Sequence, residues 1–317
     1  MKEKYSIGVD LGGTKVKVGI VNGNGRIIQR VSVSTFAEEG PEKVIAQIKK
    51  GIYSLLLTNK KQIQGIGIGS PGTVSSKKGT VENPPNLPGW KKVHLGRIIT
   101  KEFGLPTFVE NDANAAAIGE LIYGAGKDIK NFIMITLGTG VGGGIIYNGK
   151  LFRGEFGGAG EIGHITIDYN GPKCNCGSYG CLETYLGNKY ITKNISEKLK
   201  KNKSSLIYKL TDNNLKKLNP KIIHDASLLG DKFSIKVIEN LGETLGYGLA
   251  SVVNLLDIST IIIGGGVAGF GKPLFNSVKK TLKARVLTPI RPRIKVKQAK
   301  LKNNAGIKGA SSLVLYD

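Results

Sequence analysis

Apolar residues recur along the first part of the chain with two different spacings, which predict both strands and helices. Residues 5–10 form a short apolar run, as a buried strand does, and residues 15–21 alternate polar with apolar positions. Between 41 and 57, apolar residues follow Pro41 at intervals of three or four, which is typical of a helix. The same patterns predict strands at 25–35, 62–72 and 106–112, a rigid Pro-rich loop at 83–90 and an Ala-rich helix at 113–123.

The second part of the chain opens with a similar pattern. Residues 131–149 predict a strand, a glycine turn and a second strand, as the opening residues do, which indicates a weak internal duplication. Residues 189–256 are mainly helical in pattern. The later elements predicted are a strand at 259–269 that runs into a glycine turn, a helix from about 273, a strand at 293–300 and a final helix at 304–314.

These alternating elements predict an α/β protein with two domains. We expect a small α/β domain made of 1–111 and 301–317 and a large α/β domain made of 112–300. The chain would therefore leave the first domain near 112 and return to it near 301.

Composition and charge narrow the class of protein. The chain has 317 residues and a net charge of +23, and no apolar run approaches the roughly 18 residues of a membrane helix. The first residues resemble neither a signal peptide nor a lipidation site, so we expect a cytoplasmic protein with no membrane partner. Because lysines are dispersed among apolar residues in 189–232, the charge favours a solvated surface over a specific nucleic-acid site.

Two glycine turns follow predicted strands and suit phosphate binding. Glycine lets the backbone approach an anion and direct N–H groups at it, and in the first turn a hydroxyl and an ammonium group are added. Asp10, at the end of the first strand, could hold Mg²⁺ through water. Gly264–Gly266 follow a third strand, which argues against the alternative that these glycines only make hairpin turns. The candidate phosphate-binding residues are Gly12, Gly13, Thr14, Lys15, Gly138, Thr139 and Gly140.

Asp112 is a candidate general base. It lies where a predicted strand ends and a helix begins, which is where ligands bind in α/β sheets. A carboxylate there could accept the proton of a hydroxyl that attacks a phosphoryl group. Asn111 beside it could hydrogen-bond a substrate hydroxyl. The alternative is that Asp112 is the N-cap of helix 113–123, a role that does not exclude catalysis.

The segment 161–183 contains all three cysteines of the chain. His164, Cys174, Cys176 and Cys181 form an H-x₉-C-x-C-x₄-C pattern, and one nitrogen with three sulfurs suits a closed, structural Zn²⁺ site. The alternative is three free cysteines. Glu161 and Glu183 flank the pattern, and carboxylates accept hydrogen bonds from sugar hydroxyls.

Taken together, these motifs resemble the ROK family (repressors, open reading frames and sugar kinases) over nearly the whole chain. DLGGTK is similar to its first phosphate motif, ENDANAAAIGE to its catalytic segment and LGTGVGGGI to its second phosphate motif. GEIGHITID with CNCGSYGCLE resembles its sugar and zinc signature, and IIIGGGVA its adenosine-binding turn. The residues of the zinc segment, together with NLPGW, are most similar to the bacterial glucokinase branch of the family.

The resemblance implies an actin-like (ribonuclease H-like) two-domain sugar kinase fold with a cleft between the domains, and commonly a homodimer. It implies ATP-dependent phosphorylation of glucose at the 6-hydroxyl with Asp112 as the base, and with ATP, Mg²⁺ and structural Zn²⁺ as cofactors. The ATP site would add Gly265 and Gly266 to the two glycine turns. The residues implied to contact the sugar are Gly72, Asn86, Asn111, Asp112, Glu161, His164 and Glu183.

Several alternatives stay open at this point. A kinase for N-acetylglucosamine, N-acetylmannosamine, fructose or allose would share this scaffold, and polyphosphate could replace ATP as donor. A sugar-sensing regulator is disfavoured, because nine residues before Asp10 are too few for a helix-turn-helix module. Two departures from the family pattern affect the shape of the pocket: YLGNKY after CLET, and Asn304 where the family has Asp.

Overall fold

The structure is a computed structural model that describes residues 4–59 and 61–316. The strands, in chain order, are β1 (Tyr5–Leu11), β2 (Lys15–Asn22), β3 (Ile27–Ser34), β4 (Ile63–Ser70), β5 (Thr73–Ser75), β6 (Thr80–Glu82), β7 (Lys92–Val93), β8 (Thr107–Asn111), β9 (Phe132–Leu137), β10 (Val141–Tyr147), β11 (Lys150–Leu151), β12 (Thr260–Gly264) and β13 (Lys295–Gln298). The helices are α1 (Pro41–Leu57), α2 (Leu95–Phe103), α3 (Asp112–Tyr123), α4 (Glu183–Leu186), α5 (Asn188–Leu199), α6 (Ile207–Leu210), α7 (Pro220–Leu228), α8 (Lys232–Leu256), α9 (Lys272–Arg285) and α10 (Ala305–Tyr316).

These elements form two compact units. The first unit contains the chain up to Lys130, Gly144–Gly160 and the residues from Ala299 onward, and the second contains Asn131–Gly143 and Glu161–Gln298. The division differs from the expected one, because α3 belongs to the first unit, where it packs along α10. Residues 1–3, 60 and 317 of the expected small domain lie outside the described residues.

The first unit is built on a five-stranded sheet in the order β3-β2-β1-β4-β8. β1, β2 and β3 are antiparallel neighbours, whereas β4 is parallel to both β1 and β8. Helix α1 packs on β2 and β3 through an apolar face that includes Val44, Ile48 and Ile52, all fully buried. This face has the period of 3.6 residues that the sequence shows, so local pattern and tertiary packing agree.

Helix α10 packs against β1 and β4 at very short range. A Cβ atom built on Gly67 of β4 would lie 1.8 Å from the carbonyl oxygen of Ala310. Only glycine lets the helix backbone approach the strand this closely. The C-terminal helix is therefore part of the core of the first unit.

The parallel strands of the first unit end at the same edge. In the sheet register, Asp10 of β1 lies opposite Gly69 of β4, and Ser70 of β4 lies opposite Asn111 of β8. The turn after β1, the turn after β4 and the start of α3 therefore come together at the carboxyl edge. Ligands bind at this edge in α/β sheets.

The second unit repeats this arrangement with β9, β12 and β13. β12 is parallel to both neighbours, with Gly264 opposite Thr136 of β9 and Thr260 opposite Lys295 of β13. β9 and β12 consequently end side by side, each followed by glycines. In this unit, α8 and α9 form the helix pair with the most extensive contact.

Some elements are not predicted by the sequence patterns. Helix α2 and the small antiparallel sheet β5-β6-β7 fall between the predicted elements. The strands of this sheet have two or three residues, too few to show an alternating pattern. Among the described residues, no helix is both long and apolar enough to span a bilayer.

Candidate active site

The first glycine turn has one hydrogen bond within it and is contacted by Thr35 and Asn86. The Gly12 N–H donates to the Lys15 carbonyl (3.1 Å), and the Thr35 hydroxyl donates to the Gly12 carbonyl (2.7 Å). Thr14 and Lys15 are exposed. Gly13 lies against Asn86, since a Cβ on Gly13 would be 3.0 Å from the Asn86 Cβ. The structure thus brings the predicted turn and Asn86 together.

Asp10 lies beside this turn and forms an ion pair. Its Oδ2 is 3.1 Å from Nζ of Lys17, the residue directly opposite on β2. The two side chains are partly exposed, and an ion pair of this kind contributes little free energy. The carboxylate is therefore available to a metal ion at low cost.

Asn111, and not Asp112, caps helix α3. Its Oδ1 accepts hydrogen bonds from the backbone N–H groups of Ala113 (3.0 Å) and Asn114 (3.3 Å). Its Nδ2 donates to the carbonyl of Gly72 (3.2 Å), whose φ of 88° requires the left-handed conformation. Asn111 thus joins α3 to the turn after β4, in addition to any contact with a substrate.

Asp112 occupies the first position of α3, one residue beyond the end of β8. Its Oδ1 accepts a hydrogen bond from the Ala113 N–H (2.8 Å). Because Asn111 supplies the cap, the alternative that Asp112 is only a helix cap loses its basis. Asp112 lies at the carboxyl edge together with Gly72 and the first glycine turn.

Behind these residues lies a buried carboxylate to which the sequence analysis assigns no role. Glu110 is 2% exposed and pairs with Nε of Arg153 (2.8 Å). It also accepts hydrogen bonds from the Asn111 N–H (3.0 Å) and from Nδ2 of Asn114 (3.2 Å). Glu110 therefore orients the backbone at the start of α3. Its place in the motif run could have indicated this, whereas no sequence signal marks Arg153.

In the second unit, two glycine turns lie next to each other. The Gly138 N–H donates to the Gly140 carbonyl (2.9 Å), which forms the turn between β9 and β10. Gly265 has a φ of 85° and packs on Leu137, where an added Cβ would be 2.2 Å from the carbonyl oxygen. The predicted residues Gly138, Thr139, Gly140, Gly265 and Gly266 are thereby brought to one edge.

The four predicted metal ligands also come together. The ligand atoms of His164, Cys174, Cys176 and Cys181 all lie within 4.8 Å of one another. Nδ1 of His164 is 3.7 Å from the Cys174 sulfur, and the sulfurs of Cys176 and Cys181 are also 3.7 Å apart. Tetrahedral Zn²⁺ with Zn–S bonds of about 2.3 Å places sulfurs roughly 3.8 Å apart, so this donor set fits zinc.

The thiols of this cluster differ in their acidity. A hydrogen bond from the backbone of Ser178 lowers the pKa of Cys176, which is exposed. Burial raises the pKa of Cys181 to about 12 and also raises that of Cys174. A metal ion would therefore bind with release of the protons of the buried thiols.

Glu161 and Glu183 lie at opposite ends of the zinc segment and have different surroundings. Glu161 is exposed, with Oε2 4.0 Å from Nε2 of His164, whose other ring nitrogen, Nδ1, is the one near the Cys174 sulfur. Oε2 of Glu183 accepts a hydrogen bond from the backbone N–H of Val141 (2.9 Å). No local sequence pattern predicts this contact, since 42 residues separate the two groups.

The two departures from the family pattern have definite surroundings. In YLGNKY, the Tyr185 hydroxyl donates to Asp168 (2.9 Å), and burial together with this carboxylate raises the pKa of Tyr185 to about 12. Tyr185 therefore connects α4 to Asp168 within the zinc segment. Asn304 accepts a hydrogen bond from Arg30 on the exposed side of the first unit.

Comparisons with known proteins identify the family of this chain. Residues 6–316 match the ROK family. The glucokinase of Thermotoga maritima is 36% identical over 97% of this chain and 96% of its own length. The xylose repressor of Caldicellulosiruptor bescii is 31% identical over 98% of this chain and 78% of the repressor.

The fold agrees with a solved structure of the same family. The ROK family glucokinase from Streptomyces griseus, in complex with glucose and AMPPNP, superposes with a TM-score of 0.87 at 35% identity, covering 98% of both chains. The predicted actin-like α/β fold class is thereby confirmed. The chain belongs to the ROK family.

Proposed function

We propose that this protein is an ATP-dependent glucokinase that phosphorylates the 6-hydroxyl of glucose. The observation that carries the proposal is the position of Asp112 at the carboxyl edge of the first sheet, where Asn111 supplies the helix cap. A carboxylate in this place is suited to accept a hydroxyl proton. The similarity to glucokinases over the whole chain supports the same activity.

In the proposed reaction, Asp112 accepts the proton of the 6-hydroxyl as this oxygen attacks the γ-phosphorus of ATP. The bond from the γ-phosphorus to the bridging oxygen breaks, and ADP leaves. Glu161, His164 and Glu183 are the proposed ligands of the other sugar hydroxyls, and Asn86 and Gly72 are further proposed sugar contacts. Backbone N–H groups of the glycine turns, with Thr14 and Lys15, bind the phosphates and stabilise the charge that develops on them.

Mg²⁺ would accompany the nucleotide and neutralise part of its phosphate charge. Asp10 is the proposed protein ligand, through water. To act in this way the Asp10 carboxylate has to exchange its exposed partner Lys17 for the metal, at little cost.

Structural zinc is proposed for the cluster of His164 and the three cysteines. Nδ1 of His164, which lies 3.7 Å from the Cys174 sulfur, would bind the zinc and would leave Nε2 for Glu161 or a sugar hydroxyl. Zinc would hold the loop between Glu161 and Glu183 in one conformation.

We also propose that the protein is a homodimer and that it acts in glycolysis. Leu255 (82% exposed) and Leu287 (61% exposed) of the second unit suit a contact with a second copy of the chain.

A coupled assay of ADP release over a panel of hexoses tests the proposed activity. We expect turnover with ATP and the highest kcat/KM for glucose, and N-acetylglucosamine, N-acetylmannosamine, fructose and allose are the competitors. A higher kcat/KM for one of these would keep the kinase and replace the substrate. Absence of turnover with every hexose, with ATP and with polyphosphate, would refute the proposal.

A sugar-sensing regulator is the second candidate, because the xylose repressor matches nearly the whole chain. The net charge of +23 is also compatible with DNA binding. Tight binding to one DNA sequence at physiological salt, together with no turnover of any hexose, would support the regulator. Weak binding that salt abolishes would reflect only the dispersed lysines.

A further inference from the structure

The Glu183 carboxylate lies directly against the second glycine turn. Its Oε2 accepts the Val141 N–H at 2.9 Å, at the residue where the turn passes into β10. A Cβ atom on Gly140 would be 2.2 Å from the same oxygen. Gly140 therefore lacks a side chain where the carboxylate needs the space, which is a different requirement from close approach of a phosphate.

Two further contacts connect the same helix segment to the turn. The Asn188 N–H donates to the Gly138 carbonyl at 3.0 Å. A Cβ on Gly187 would lie 3.0 Å from the Thr139 carbonyl oxygen. The three turn residues and Val141 thus rest on residues 183–188, and Glu183 supplies the side-chain contact.

A carboxylate can serve two partners at once. Each of its oxygens has two lone pairs, so the contact with Val141 leaves Oε1 for a sugar hydroxyl. Glu183 is half-buried. Glu161, by contrast, is exposed and lies 4.0 Å from His164 on the other flank of the zinc segment.

We propose that Glu183 is a positioning residue for the second phosphate turn as well as a sugar ligand, so that hexose and nucleotide binding are coupled through one carboxylate. The inference rests on the proposed function. A sugar bound to Oε1 fixes the carboxylate, the carboxylate fixes Val141, and the turn is held ready for the phosphates. By linkage, the nucleotide must improve sugar binding by the same factor.

The first test places a substitution in the second glycine turn and measures the affinity for glucose. In Gly140→Ala, the new methyl group displaces the Glu183 carboxylate, which is the mobile end of a side chain and moves more easily than the backbone. Titration calorimetry without nucleotide is expected to show glucose binding about tenfold or more weaker. Gly138→Ala is the matched control, since its Cβ meets no atom within 4 Å, and its glucose affinity should stay within about twofold.

The second test measures the affinity for AMPPNP in the absence of sugar. Glu183→Ala removes the contact with Val141, so AMPPNP affinity should fall about fivefold or more, the range of typical coupling between sites. Glu183→Gln keeps a carbonyl oxygen for the Val141 N–H and should retain most of the nucleotide affinity. Glu161→Ala is the control: it should weaken glucose binding and leave AMPPNP binding unchanged.

The outcomes separate this inference from the proposed function. If the unaltered protein binds and phosphorylates no hexose, the proposed function fails. If it phosphorylates glucose but Gly140→Ala and Gly138→Ala bind glucose equally well, the coupling through Glu183 is refuted and the glucokinase stands. Equal effects of Glu183→Ala and Glu161→Ala on AMPPNP would refute it too. Should Glu183→Ala not fold, the glycine pair decides alone.

Discussion

The Glu120 carboxylate accepts a hydrogen bond of 2.8 Å from the backbone N–H of Leu301, 181 residues further along the chain. Its other oxygen accepts the N–H groups of Lys300 (3.1 Å) and Ala125 (2.5 Å). Glu120 has no exposed surface. One buried carboxylate thus binds the segment just before the chain first leaves the first unit and the segment just after its last return.

We expect Glu120→Gln to destabilise the first unit. The amide NH₂ would replace an acceptor that faces backbone N–H groups, and losing hydrogen bonds to a buried charged group costs about 2–3 kcal/mol. Urea or thermal unfolding measures the change. The exposed Glu155→Gln should stay within about 0.5 kcal/mol, and equal stability of both variants would contradict the inferred role of Glu120.

Asp112→Asn should abolish most catalysis while the fold is kept. Asn retains an oxygen that can accept the Ala113 N–H but cannot take up a proton, so kcat should fall roughly 10²-fold or more. Steady-state kinetics with glucose and ATP measure this loss, and the thermal midpoint should stay near that of the parent. The exposed Asp212→Asn serves as control, and full activity of Asp112→Asn would eliminate the general-base role.

Removing one thiol should release the metal. Cys181→Ser replaces a buried sulfur ligand, so zinc content measured by elemental analysis should fall from about one ion per chain toward zero. The thermal midpoint should fall with it, because binding of a structural metal contributes to folding. Ser178→Ala changes a side chain of the same loop that is not a metal ligand, keeps the backbone that bonds Cys176 and should keep its zinc; a Cys181→Ser variant with full zinc content would argue for a different donor set.

Asp231 should stabilise the second unit in a way that depends on pH. It caps α8 and accepts hydrogen bonds from the N–H and hydroxyl of Ser234, the hydroxyl of Ser205 and the N–H of Leu206. Burial works to raise the pKa of Asp231, but these hydrogen bonds outweigh it and hold the pKa below its ordinary value. Asp231→Ala should therefore cost about 1–2 kcal/mol at neutral pH.

The pH dependence follows from the depressed pKa. The stabilisation is fully present above the unfolded pKa of about 3.9 and is lost as pH falls through the lower folded pKa. Unfolding measured between pH 3 and 8 should show a constant difference between parent and Asp231→Ala above about pH 5, and a shrinking one in acid. The exposed pair of Asp225 and Lys221 gives the control Asp225→Ala, expected within about 0.5 kcal/mol; a difference independent of pH would exclude the carboxylate as its source.

Local pattern was sufficient for most of the fold. The apolar spacing of α1 and the alternation of β2 are each repeated within a single element. Both elements could therefore be predicted without knowing what packs against them. The donor set of His164, Cys174, Cys176 and Cys181 could be predicted for the same reason, since all four lie within 18 residues. The glycine turns carried their own conformational signal.

The sequence by itself therefore indicated most of the strands and helices, the metal donor set and the position of Asp112 at a strand end. Only the tertiary structure decided that Asn111 caps α3, that Glu120 joins residues 181 positions apart and that Glu183 reaches the turn before Val141. It also placed α3 with α10 in the first unit, against the expected boundary. The physical reason is that these contacts join distant parts of the chain, and a buried carboxylate looks the same in sequence as an exposed one until the backbone N–H groups that surround it are known.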